Sequence, residues 1–149
     1  MMEPKPINVT TLFKSLELVS FNAYEKPLDL EIDINKITFG MSLNYRLNAE
    51  ERLVTIFTPI DIFSDESKSI KLGSINVKGE FVVENFEEIQ LNQQLPAQVV
   101  AIYVGVMISS VRGMLKLLSK GTSFEAAIIP IINPLALLQS TELKPTEAI

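Results

Sequence analysis

Histidine, cysteine and tryptophan are all missing from this chain of 149 residues. Without histidine or cysteine there is no metal site of nitrogen or sulfur type, no disulfide, and no Ser-His or Cys-His nucleophile pair. The six glycines, at positions 40, 73, 79, 105, 113 and 121, are scattered and form no phosphate-cradling loop. No cofactor and no metal are expected. Positive charge is thin as well: 13 Lys and Arg stand against 18 Asp and Glu, and no basic cluster marks a nucleic-acid footprint. Carboxylates pair at Glu50-Glu51, Asp65-Glu66 and Glu87-Glu88. All fall in turn or edge segments, where a solvated face is the expected role rather than acid–base chemistry. The N-terminus carries no basic stretch leading into an apolar core, so no secretory signal is expected. With the absence of cysteine, the expectation is a cytoplasmic protein that is not an enzyme.

What is there is aliphatic mass. Apolar residues make up 47% of the chain and charged ones 21%, while aromatics reach only 7%. That composition excludes a disordered chain, and the length suits a single domain with a proper core. The ends, 1–11 and 140–149, are short, polar and Pro-bearing and read as flexible tails around one domain over 12–139.

Within that domain the first half alternates. Leu16 to Ala23 is a short β-like run. From Ile37 the pattern is strict: Ile37, Phe39, Met41, Leu43, Tyr45 and Leu47 face one way, and polar residues and Gly40 face the other. A polar turn at 48–51 leads to a second long strand over 53–63, and another at 64–69 leads to a third over 70–84. In that third strand the apolar parity slips from Ile70 and Leu72 to Ile75, Val77, Phe81 and Val83, which beside Gly73 predicts a β-bulge. Successive strands joined by hairpin turns make an antiparallel sheet.

The second half is dominated by a helix. Pro96 suits its first turn and Gly121 its end, where a positive φ frees the last carbonyls to find donors. Between them lies a stretch of about 24 residues, roughly twice the average helix. The uninterrupted apolar run, Val99 to Ile108, is ten residues and is followed by Arg112, Lys116 and Lys120. A membrane span needs about 20 apolar residues, so a buried helix is the better reading and no membrane insertion is expected. Its first half is apolar on nearly every side. One sheet cannot cover it, and a small chain finds the second cover in another subunit. Strands first and a long helix afterwards define an α+β fold: a four-stranded antiparallel sheet with the long helix and a short C-terminal helix on one face.

That layout, with a small-residue–Arg pattern in the helix (Ser110-Val-Arg112), is similar to the SecB-like export chaperones. Further points of likeness are Lys120-Gly-Thr122, the closing Pro130-Ile-Ile-Asn133 and the Leu-rich 135–138. Val19-Ser-Phe-Asn-Ala23 also resembles the family's first strand, and the likeness covers roughly 12–139. It implies a homotetramer, a dimer of dimers with helices layered between sheets. Val100, Val104, Ile108, Val111 and Arg112 are then expected at the oligomer interface. It also implies a non-catalytic holdase that keeps unfolded clients in long apolar grooves. On the matching elements those grooves would be lined by Phe39, Met41, Tyr45, Leu91, Leu95, Leu135 and Leu138. Export members carry acidic side chains in the first strand that help dock the translocase motor. Here the matching positions are Leu18 and Asn22, which puts motor docking in doubt and brings forward the relatives that protect a toxin–antitoxin system's antitoxin. The competing readings are an oligomeric adaptor for one folded partner and an enzyme or small-ligand carrier using the sheet–helix crevice.

Overall fold

The computed structural model of the protein describes residues 11–84, 97–134 and 136. Five strands appear in chain order: β1 (Thr11–Ala23), β2 (Thr38–Met41), β3 (Asn44–Asn48), β4 (Leu53–Phe63) and β5 (Lys71–Val83). A 3-10 turn at Ile34–Lys36 precedes β2, and one long helix, α1 (Ala97–Leu118), follows. The sheet is antiparallel in the order β1-β5-β4, with β2 and β3 both pairing the free side of β4.

Five strands therefore occupy four positions, and a single residue explains the difference from the expected count. The alternating strand from Ile37 is one strand in register. Met41 opposes Ile60 and Asn44 opposes Phe57, so the pairing runs unbroken across the gap. In that register Ser42 faces Pro59. The Ser42 N–H donates to the Pro59 carbonyl at 3.2 Å, but proline has no N–H to return. The ladder opens there and splits the edge strand in two.

The expected bulge is present. Ile62 opposes Gly73 while Phe63 opposes Lys71, which leaves Leu72 as the extra residue. β1 carries two more irregularities, between Phe13 and Ser15 and between Leu18 and Ser20. They keep Phe13, Leu16, Leu18 and Phe21 on one face although their spacing is not uniform. That is why β1 reaches back to Thr11, five residues before the alternation in the sequence becomes legible.

The core lies between this face and α1. Ile56, Ile60 and Ile62 of β4 and Ile75, Val77 and Phe81 of β5 are sealed against Tyr103, Val104, Met107, Val111 and Leu115. Each such side chain contributes about 1.5–3 kcal/mol of transfer free energy. Met107 packs directly onto Gly79, where an added Cβ would collide with its sulfur. Phe124, beyond the helix, sits in the same way on Gly73. Glycine in mid-strand is thus what brings the helical layer this close. By length and composition Val99–Leu118 would suffice to cross a membrane, yet here its Val104, Met107 and Val111 side is spent on the sheet. The helix stops at Leu118, and the chain turns at Gly121, whose φ of +81° is the left-handed value expected of it.

Candidate functional site

Between the edge strand β2 and the segment that follows α1, the layers do not close. A groove of about 570 Å³ runs there. One wall is Ile34, Ile37, Phe39 and Met41; the other is Ala126 to Ile128, Pro130 and Ile132. Asp33 starts the first wall by accepting the Asn35 N–H at 3.0 Å, which caps the 3-10 turn and aims Ile34 outward. The second wall is an extended run with a proline in it, unable to continue a helix. From Ala127 to Pro130 its burial alternates: Ala127 and Ile129 are in the core, while Ile128 (61% exposed) borders the groove; beyond Pro130 the alternation ends and Ile131 (95%) faces solvent. Among the described lining residues Glu66 is the only charged one. Among the described residues the groove is therefore an apolar slot beside a sheet edge.

The segment's backbone needs donors, because it belongs to neither a helix nor a strand. Arg112 supplies two: Nε donates to the Ile129 carbonyl and Nη2 to the Pro130 carbonyl, both at 2.8 Å. One turn later Lys116 Nζ donates to the Glu125 carbonyl at 3.2 Å. Thr122 steadies the start, giving its hydroxyl to the Ser119 carbonyl at 2.6 Å and accepting the Phe124 N–H.

The expected site residues separate on this map. Phe39 and Met41 line the groove. Tyr45 does not; at 8% exposure it lies in the core on β3, and burial pushes its phenol above the usual range. Leu91, Leu95, Leu135 and Leu138, like Pro96, lie outside the described residues, as does most of the expected C-terminal helix. The apolar residues expected at an oligomer interface lie inside the single chain. Val100, Val104, Ile108 and Val111 are 0–5% exposed inside the single chain, packed on its own sheet. Arg112, expected at a subunit boundary, is occupied by its own chain's carbonyls. The exposed apolar stripe of α1 is instead Ile102, Val106 and Leu117, with small Ser109 and Gly113 between them. Ile34, Ile128 and Ile132 were not singled out from the sequence. For Ile128 and Ile132 the signal was the isoleucine run broken by Pro130, which can be neither helix nor central strand; Ile34 left none.

The carboxylate pairs that the structure describes are on turns. Glu50 and Glu51 offer their backbone N–H groups to the Asn48 side chain. The Ser67 hydroxyl holds the exposed Asp65 carboxyl below its usual range. On β1, Leu18 faces the helix side, and Asn22 donates to the Ser74 hydroxyl at 3.2 Å, so neither matched position offers a carboxylate.

Neither a family model nor a curated protein matches the chain. Among solved structures, a Mycobacterium tuberculosis SecB-like chaperone, in complex with a ChAD peptide from the HigA1 antitoxin, matches it with a TM-score of 0.53. The match spans 82% of this chain and 89% of the other at 8% sequence identity. At that identity the likeness is one of architecture: an antiparallel sheet with one long helix across it, which is the SecB-like fold.

Proposed function

We propose that this protein is an ATP-independent holding chaperone that keeps apolar stretches of unfolded polypeptide in the groove between β2 and the segment after α1. The open apolar slot carries the reading: a concave, mostly apolar cleft left open beside a sheet edge is the kind of surface that takes apolar groups of a partner. Ile34 and Ile128, exposed at its rim, suit a spaced series of apolar side chains on an extended client. The fold likeness to a chaperone solved with an antitoxin peptide supports the same act, and makes protection of one antitoxin a more specific form of it. Assembly belongs to the proposal. The stripe Ile102, Val106, Leu117, narrowed by Ser109 and Gly113, lets a second copy's helix approach closely, toward the tetramer implied by the SecB-like layout.

The test is aggregation of a chemically unfolded model protein, followed by light scattering without nucleotide and with a chelator present. Suppression of several unrelated proteins is the expected result. No effect on any of them, with tight binding to one folded partner, would replace the holdase by the adaptor. Sedimentation at micromolar concentration decides the assembly: a clean monomer near 16.6 kDa sinks it. If a larger species forms, Ile102→Glu with Leu117→Glu should return it toward that mass while leaving the melting temperature near that of the parent.

A further inference from the structure

The segment after α1 runs back along the helix flank, antiparallel to it. Lys116 meets Glu125, Arg112 meets Ile129 and Pro130, and Gly105 comes to lie against Pro134. The only forked contact in that series is the middle one. A guanidinium presents fixed, parallel donors, and here two of them hold the carbonyls of consecutive residues. Along this stretch burial alternates, with Ala127 and Ile129 buried and Ile128 and Pro130 exposed. Holding two neighbouring carbonyls therefore sets which side chains enter the core and which form the groove wall. In the observed register Ile129 is buried, and Ile128 and Pro130 line the groove. A slip of one residue would exchange them.

The geometry points to Arg112 as the positioning residue of the client groove: without touching a client, it fixes the register of the wall against which the client lies. This rests on the client-binding reading above. A lysine in its place keeps the charge, but its donors rotate about one nitrogen instead of forming a planar fork, so it can hold the carbonyls without fixing the register.

The absence of cysteine makes the test clean. A nitroxide on Ile131→Cys, a position 95% exposed and outside the groove lining, reports motion of the wall. Client binding is read with reduced, carboxymethylated lactalbumin, a permanently unfolded chain. In Arg112→Met the label's spectrum should become mobile. Affinity for lactalbumin should fall about tenfold or more, the equivalent of one lost charged hydrogen bond. Sedimentation mass should stay close to that of the parent, and the melting temperature should fall by less than the affinity does, because the Pro130 carbonyl that Arg112 releases is exposed and can bond water instead. Arg112→Lys should fall between the two in both label mobility and affinity. A label as immobile in Arg112→Met as in the parent overturns the proposal. So does full rescue by Arg112→Lys, which would make charge rather than the fork responsible. A melting temperature that falls in step with affinity would reduce Arg112 to a stabilising residue. If the parent itself does not bind lactalbumin, the holdase reading fails, and the label spectrum alone decides whether Arg112 sets the wall.

Discussion

Phe39 and Phe81 point to the same face of the same sheet, yet one is sealed and the other lines an open groove. Phe81 lies under α1, stacked on Tyr103 with ring centroids 4.3 Å apart and met edge-on by Phe13 at 4.9 Å. Phe39 lies on the edge strand, opposite a wall of irregular chain fastened by side chains. The difference is in the cover, not in the residue. A regular helix satisfies its own backbone and can press its whole apolar face onto the sheet. An extended segment must borrow donors, and it meets the sheet with only alternate side chains. On this face of β2 the slot thus stays open where the second layer stops being helical.

The largest expected effect tests whether the helical side is as closed as described. Val104→Glu places a carboxylate at a site 1% exposed, at a cost on the order of several kcal/mol. The protein should lose its cooperative thermal transition by circular dichroism. A folded but smaller assembly would instead return Val104 to a subunit interface. Gly79→Val drives a side chain into Met107 and should cost about 1–3 kcal/mol, read as a lower denaturant midpoint. An unchanged midpoint would mean the helical layer is not seated on β5.

Alkaline pH sharpens the same contrast more gently. Burial raises Tyr45 and Tyr103 from their ordinary 10.0, with the Thr11 hydroxyl partly opposing it at Tyr103. Below that pH both states hold the proton and nothing changes. Above it the unfolded chain releases protons that the folded chain keeps, so stability should fall as pH rises past about 10. Melting temperatures at pH 9 and pH 11 check this; equal values would mean that the helical side admits water. The smallest effect on stability belongs to the open side. Ile34→Ser with Ile128→Ser should change stability by no more than about 1 kcal/mol in total, about 0.5 for each, while weakening suppression of aggregation. If the pair unfolds the protein, the groove is core and the contrast with Phe81 disappears.

Much of this architecture was legible. The bounds of β4, the bulge beside Gly73 and the turn at Gly121 all follow from period-two alternation and from what glycine permits. Alternation failed in β1, where two irregularities disguise a face that only the pairing with β5 reveals. It also failed in α1, for the opposite reason. A run apolar on all sides has no phase, so Val100 and Val104 could not be told from Ile102 and Val106 without the sheet. At the site, Phe39 and Met41 were legible because the edge strand is strictly periodic. The partners of Arg112 were not, because a contact to backbone carbonyls 17 and 18 residues away leaves no trace in side-chain pattern.

Pro59 divides the sheet edge into cooperative units of different reach. With no N–H to offer Ser42, it leaves β2 as a ladder of four residues, joined to β3 by register but not by an unbroken row of hydrogen bonds. A four-residue ladder opens at far less free energy than the domain does. The wall that carries Phe39 and Met41 can therefore fray and reclose while β3, β4 and β5 stay paired. The groove would then widen, and the rest of the fold would not register the change.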